Sequence, residues 1–219
     1  MVQVRLGNNI LGANEMLARK NRSLFSDRGV LVLNFMSSPG SGKTTILERT
    51  IEGVCDHLKM GVIEGDLYTD QDAQRIGQKG VPVIQINTEG ACHLDAGMVG
   101  KAYDSISDSE MDLIVIENVG NLVCPAEFDL GEDGKAVVIS VTEGNDKVTK
   151  YPLIFREASV ILVNKIDLLE HTDFSLDKLR EDVRHINPAA PVFLVSGRTG
   201  QGIEEWCGWL KEEVRKKRS

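Results

Sequence analysis

Seven short apolar runs punctuate the chain, at 30–36, 61–65, 83–87, 113–117, 136–141, 160–164 and 191–195. They are rich in valine, isoleucine and leucine and lack the strict alternation of a half-exposed strand, so each predicts a strand buried on both faces. Most are separated by segments of helical length and period. Strands alternating with helices predict an α/β fold, a mainly parallel β-sheet with helices on both faces. Ahead of the first run, Leu11, Leu17, Ala18, Leu24 and Phe25 recur at roughly helical spacing and the pattern stops at Asp27-Arg28-Gly29. Residues 1–28 are therefore expected to form a helical segment packed on a main domain spanning 29–219. Over 202–218, Ile203, Trp206, Cys207, Leu210 and Val214 form one stripe, and the basic residues near its end suit the negative end of a closing helix.

Composition narrows the chemistry. The chain has 219 residues with 25 lysines and arginines against 33 acids, a net charge of -8. Such a balance disfavours unspecific binding to nucleic acid or anionic membrane, so any phosphate must be held locally. No apolar run approaches the roughly 18 residues of a membrane span, and the N-terminus lacks a signal peptide's apolar stretch, so the expected location is the cytoplasm. Four cysteines, Cys55, Cys92, Cys124 and Cys207, stand far apart with no CxxC pair, which argues against a disulfide framework.

The first run leads straight into Ser37-Ser38-Pro39-Gly40-Ser41-Gly42-Lys43-Thr44-Thr45 and a helical Ile46-Leu47-Glu48. Strand, glycine-rich turn and helix start are the context of a phosphate-binding loop. Gly40 and Gly42 let successive N–H groups, including those of Ser41 and Thr45, turn toward a phosphate at the positive end of the helix. Lys43 supplies a charge to the outer phosphates and Thr44 a hydroxyl for Mg2+. The first glycine of the usual pattern is replaced by Ser37.

The sixth run ends in Asn164-Lys165-Ile166-Asp167, about 120 residues beyond the phosphate loop. Asp167 can accept from N1–H and the exocyclic amine of guanine, which adenine does not present there, so the pattern predicts GTP over ATP. Lys165 is expected along the base plane, Asn164 as a brace, and Ser196-Gly197 as the source of an N–H for guanine O6. Magnesium and water require carboxylates. The candidates are Asp66, Asp72 and Glu117, the last in Glu117-Asn118-Val119-Gly120, a D-x-x-G-like turn with glutamate first. Helix cap or solvated loop acid is the alternative at each position, and it weighs most at Asp72. Asp66 and Lys43 are the candidate catalytic residues. Asn121 stands where a water-orienting glutamine often follows, which predicts slow intrinsic hydrolysis unless a second subunit supplies a cation.

Cys92-His93 follows the third run and Cys124-Pro125 follows the Glu117 turn. Neighbouring strands are expected to deliver both loops to one carboxyl edge. Two thiolates and an imidazole suit Zn2+ or Ni2+, and three ligands leave a coordination shell that two copies of the chain would complete. A Cys-His dipeptide with one distant cysteine also arises by coincidence. Cys55 and Cys207 fall in helical apolar stripes and are read as core; His57, His171 and His185 are read as surface.

Taken together, the phosphate loop, Glu64-Gly65-Asp66, Asn87-Thr88 with Cys92-His93-Leu94-Asp95, the stretch from Glu117 to Pro125, and Thr142-Glu143-Gly144 with Lys147, Lys150, Tyr151 and Pro152 resemble the HypB family over essentially the whole chain. That family comprises GTPases that help insert nickel into nickel-iron hydrogenases. The resemblance implies a SIMIBI-class P-loop GTPase with Asp66 in the first switch. It also implies a metal site of Cys92, His93 and Cys124 at the interface of a GTP-promoted homodimer. Lys147 or Lys150 would then reach the partner's nucleotide, and the partners would be the hydrogenase large subunit and other maturation proteins. The N-terminal cysteine motif or histidine-rich tract of some members does not occur in this sequence, which argues against tight sequestration. Three rival readings remain: a urease-type nickel-insertion GTPase, disfavoured because Cys92-His93 and Cys124-Pro125 stand apart; a small-molecule kinase, disfavoured by N-K-x-D; and a zinc-bridged dimeric scaffold with a structural nucleotide.

Overall fold

The computed structural model describes residues 7–66, 69–106 and 110–219. Each of the seven apolar runs becomes a strand: β1 Leu31–Ser37, β2 Met60–Asp66, β3 Val83–Asn87, β4 Leu113–Glu117, β5 Gly134–Ser140, β6 Val160–Asn164 and β7 Val192–Leu194. Among the described residues they form one sheet in the order β3-β2-β4-β1-β5-β6-β7 with every pairing parallel. Parallel neighbours need crossover connections, and helices supply most of them. These helices are α2 Lys43–Val54, α3 Gln71–Gly77, α4 Ala96–Asp104, the short α5 Cys124–Glu127, α6 Lys147–Lys150 and α7 Pro152–Arg156, and α8 Leu176–Ile186. Helix α1, Gly7–Asp27, precedes the sheet and α9, Ile203–Arg218, closes the chain.

Alternation along β1 divides the core. Leu31, Leu33 and Phe35 point to one side, against Ile46, Leu47 and Ile51 of α2 and Trp206 and Leu210 of α9. Val32 points to the other, among Ile63, Ile114 and Ile116 with Phe25 of α1 and Val99 and Tyr103 of α4. Each such side chain, fully withdrawn from water, contributes about 2 kcal/mol. Trp206 also donates from Nε1 to Thr50 Oγ1 at 2.8 Å, which locks α9 onto α2. The basic end of α9 is tied back by Lys217 to Asp133 at 2.6 Å. Among the described residues no helix is long and apolar enough to cross a membrane.

Three expectations change. In α1, Leu11 and Leu17 are 37% and 44% exposed, and the buried stripe is instead Asn14, Ala18, Asn21 and Phe25. The asparagines are buried because their amides have backbone partners on two other segments, a satisfaction that apolar periodicity does not register. The first six residues of the 1–28 segment lie outside the described residues. Cys55 is exposed rather than core, because α2 ends at Val54 and Cys55 is the capping residue beyond its last buried turn, whereas Cys207 is buried. Finally, β3 and β4 are not neighbours, since β2 lies between them. The loop after β3 reaches the β4 side by crossing the end of β2, where Gly65 has no Cβ; one there would stand 2.8 Å from Leu94.

Candidate functional site

The loop between β1 and α2 closes on its own lysine. Lys43 Nζ donates to Ser37 Oγ at 3.0 Å, so the serine in place of the usual first glycine anchors the lysine at the head of the loop. Gly42, with φ of 93°, caps α2 in the left-handed region, and a Cβ there would lie 2.5 Å from Asn164 Nδ2. Only glycine meets both conditions. Gly40, Ser41, Gly42, Lys43, Thr44 and Thr45 line an open cleft of about 380 Å³ together with Asp66, Asp72, Arg75, Glu117 and Gly120.

The N-K-x-D segment and the loop after β7 meet this turn. Asn164 Nδ2 donates to Ser41 O at 2.8 Å while its Oδ1 accepts from Gly197 N at 3.0 Å, so one amide ties the phosphate loop to the Ser196-Gly197 loop. Lys165, with φ of 61°, sends Nζ to Gly40 O at 2.7 Å. Asp167 Oδ1 accepts from Ser196 Oγ at 2.6 Å, which fixes the carboxylate beside the loop expected to meet guanine O6. Gly197 packs on Thr45.

The three candidate magnesium acids sit differently. Glu117, at the end of β4, is buried, and its Oε1 accepts from Thr44 Oγ1 at 2.7 Å. Its Oε2 is buried without a hydrogen-bond partner, and burial raises its pKa against the pull of Lys43 and the Thr44 hydroxyl. A hydroxyl and a carboxylate in contact, one oxygen left over, fit a small hard cation. Asp66, at the end of β2, accepts from Thr69 N at 2.8 Å. Asp72, in the first turn of α3, pairs with Arg75 at 2.9 Å. Glu64, directly across from Glu117 in the β2–β4 register, is buried with one oxygen unpaired. Burial, and then the neighbouring Glu117, Asp66 and Asp72 carboxylates, push its pKa up to about 8.

Cys92, His93 and Cys124 come together with their donor atoms all within 4.8 Å of one another. Cys92 Sγ lies 3.6 Å from His93 Nδ1. The His93 ring lies over Phe128, centroids 3.8 Å apart, which orients the imidazole. A hydrogen bond shared with Cys124, and then burial, raise the Cys92 pKa, and burial lowers that of His93. A neutral imidazole and two touching thiols form a soft donor set suited to Ni2+ or Zn2+. Cys92 is exposed, and beside Cys124 the apolar Val123 is 51% exposed, so the set opens to the outside. Lys147 and Lys150 are not among the residues that line the phosphate cleft; both stand 5.7 Å from the Tyr151 ring, and Lys147 lies 3.8 Å from Glu143. His57, His171 and His185 are exposed.

A family model described as the CobW/HypB/UreG nucleotide-binding domain matches residues 31–194. The hydrogenase maturation factor HypB of Azotobacter chroococcum mcd 1 is 49% identical over 210 residues, 96% of this chain and 69% of that protein. The crystal structure of HypB from Helicobacter pylori in complex with nickel superposes with a TM-score of 0.89 at 41% identity, covering 94% of this chain and 97% of that one. The chain belongs to the CobW/HypB/UreG family, on its HypB branch. The LAO/AO transport system kinase, at a TM-score of 0.58 and 14% identity over 99% of this chain and 81% of that one, shares the fold alone. The HypB branch thus carries its nucleotide-binding domain on the all-parallel sheet that the strand order displays.

Within this HypB framework Arg75 belongs to no sequence motif, and Asn118, Gly120 and Asn121 do more than form the D-x-x-G-like turn and its sequel. Arg75 lines the cleft and bridges Glu48 at 2.7 Å and Asp72; a cation three positions after Asp72 on a short helix was the available sign. Asn118 and Asn121 join the two loops: Asn118 Oδ1 accepts from Leu94 N at 3.2 Å, and Asn121 Nδ2 donates to Cys92 O at 3.3 Å. Gly120 packs on Pro39 of the phosphate loop.

Proposed function

We propose that this chain is a GTP-hydrolysing metallochaperone that assists nickel insertion into nickel-iron hydrogenase and couples GTP-dependent dimerisation to metal binding and release. One observation carries the reading. The single segment from Glu117 to Cys124 touches Thr44 at one end, Pro39 and the Cys92 loop along its length, and contributes a thiol at the other. A change at the phosphates therefore has a covalent route to the metal ligands, and the relative crystallised with nickel favours that metal.

In this reading the N–H groups of the turn and Lys43 hold the β- and γ-phosphates, while Thr44 and Glu117 hold Mg2+, which when bound neutralises charge on the transferring group. Asp66 orients the attacking water. The oxygen of that water bonds the γ-phosphorus as the bond to the bridging oxygen breaks; GDP leaves on the bridging oxygen, and the proton the water loses passes to an oxygen of the departing phosphate. Asp167, Lys165 and Asn164 select guanine. Cys92, His93 and Cys124 supply three ligands, and a second copy brings the other half of the shell. Lys147 or Lys150, free of its own cleft, reaches the partner's nucleotide. The hydrogenase large subunit and other maturation proteins are the recipients.

The test is an equilibrium titration of Ni2+ and Zn2+ against nucleotide-free, GDP-bound and GTP-analogue-bound protein, with Cys92→Ala and Cys124→Ala as controls. Metal affinity is expected to shift at least fivefold between the two nucleotide states, the lower bound of ordinary coupling energies. Identical affinities in all three states would refute the coupled mechanism.

A further inference from the structure

Two asparagines of α1 make the same kind of bridge. Asn14 Oδ1 accepts from Ala96 N at 2.9 Å while its Nδ2 donates to Asp129 O at 2.8 Å. Two turns further on, Asn21 Nδ2 donates to Ala96 O at 2.8 Å and to Leu130 O at 2.9 Å. Ala96 begins α4, three residues after His93. Asp129 and Leu130 follow α5, which begins at Cys124, and directly follow Phe128, on which His93 stacks. Both asparagines are at least nine-tenths buried. Each therefore joins the segment that carries Cys92 and His93 to the segment that carries Cys124, from a helix that contributes no ligand itself.

We propose that α1 is a strut of the metal centre, with Asn14 and Asn21 as positioning residues that set the distance between its two ligand-bearing segments. This rests on the metal-site reading above and extends it to residues far from the donor atoms. An amide bonded to both segments at once, by acceptor and donor in Asn14 and by two donated bonds in Asn21, fixes them relative to each other, which an apolar contact of the same size does not. Ligands held at a set spacing lose less freedom on coordination, so groups behind the first ring of donors commonly govern metal affinity.

The test measures Ni2+ affinity by chelator competition, together with the thiolate-to-nickel absorption band, for wild type, Asn14→Ala/Asn21→Ala and Asn14→Asp. The aspartate keeps the acceptor for Ala96 N and loses the donor to Asp129 O, so it cuts the bridge with the least loss of packing. The double variant is expected to bind nickel about tenfold more weakly with an altered band, and Asn14→Asp several-fold more weakly, at the scale of such supporting groups. GDP affinity, which also verifies folding, is expected to stay within twofold. Arg22→Ala is the control. It removes an α1 contact to Asp129 at 2.7 Å that reaches one segment only, and it should leave nickel affinity within twofold. Unchanged affinity and band in the bridging variants overturn the strut, as does a loss in Arg22→Ala equal to that of the double variant. Nickel affinity that responds to α1 but not to nucleotide instead leaves the strut standing and removes the coupled chaperone mechanism.

Discussion

Asn164 and Asp167 divide the work of one four-residue motif. The asparagine holds the phosphate loop and the Ser196-Gly197 loop together, while the aspartate accepts from Ser196 at Oδ1 and is the residue proposed to meet the base. Asp167→Asn is expected to lower the preference for GTP over ATP by a hundredfold or more, the scale of losing a paired polar contact to a base, while inorganic phosphate still competes as in wild type. Competition binding with the two nucleotides measures it; undiminished GTP preference would remove Asp167 from base selection. Cys207 makes a different point about single residues. Burial raises its thiol to about 11, against about 9 unfolded. Below pH 9 both states keep the proton and the contribution is constant. Between 9 and 11 only the unfolded chain releases it, so stability falls by at most about 1.4 kcal/mol per pH unit and levels off above. Urea unfolding at pH 8 and 10.5 should show this fall in wild type and a shallower one in Cys207→Ala. At this scale the chain was readable wherever a motif carries its own geometry, as at Gly40 to Thr44. Arg75 escaped, and Asn118 and Asn121 showed only as parts of a turn, because their contacts with Glu48, Leu94 and Cys92 are encoded by no local pattern.

Strands were legible by their apolar runs, central and edge alike. Burial on both faces explains the run at Leu113–Glu117, where every residue is buried, but not β3 and β7, which lie at the sheet edges and are half-buried, contrary to expectation. Helix α1 forms as expected but turns a different face inward: that face is half amide, Leu11 and Leu17 are exposed, and Met16 is 73% exposed on the outer side. Cys55 was misplaced because a stripe extends as far as its helix, and the boundary after Val54 is a matter of one residue. The contact between α2 and α9 is apolar apart from the Trp206 to Thr50 hydrogen bond and the weak Cys207 thiol contact to Thr50 O, both buried. Thr50→Val keeps the volume and leaves the indole N–H without its partner. It is expected to cost about 1–3 kcal/mol in urea unfolding followed by circular dichroism, the desolvation of an unpaired donor. A loss below 0.5 kcal/mol would mean that the indole N–H finds another acceptor.

For the whole molecule, the class of fold followed from alternating strands and helices, but the strand order did not. Nothing in the apolar pattern says that β2 separates β3 from β4, and the convergence of the two cysteine loops depends on Leu94 passing over Gly65 at the end of that intervening strand. The sheet also keeps two territories apart. Its α2–α9 side carries the phosphate-loop helix, and its other side carries Leu94, α4 and Phe128, against which the metal loops rest. Both tryptophans of the chain, Trp206 and Trp209, are stacked 5.3 Å apart on α9, on the first of these sides. Fluorescence excited in tryptophan alone, leaving Tyr103 on the other side silent, therefore watches the packing beneath the phosphate loop, while events at Cys92, His93 and Cys124 have no tryptophan beside them.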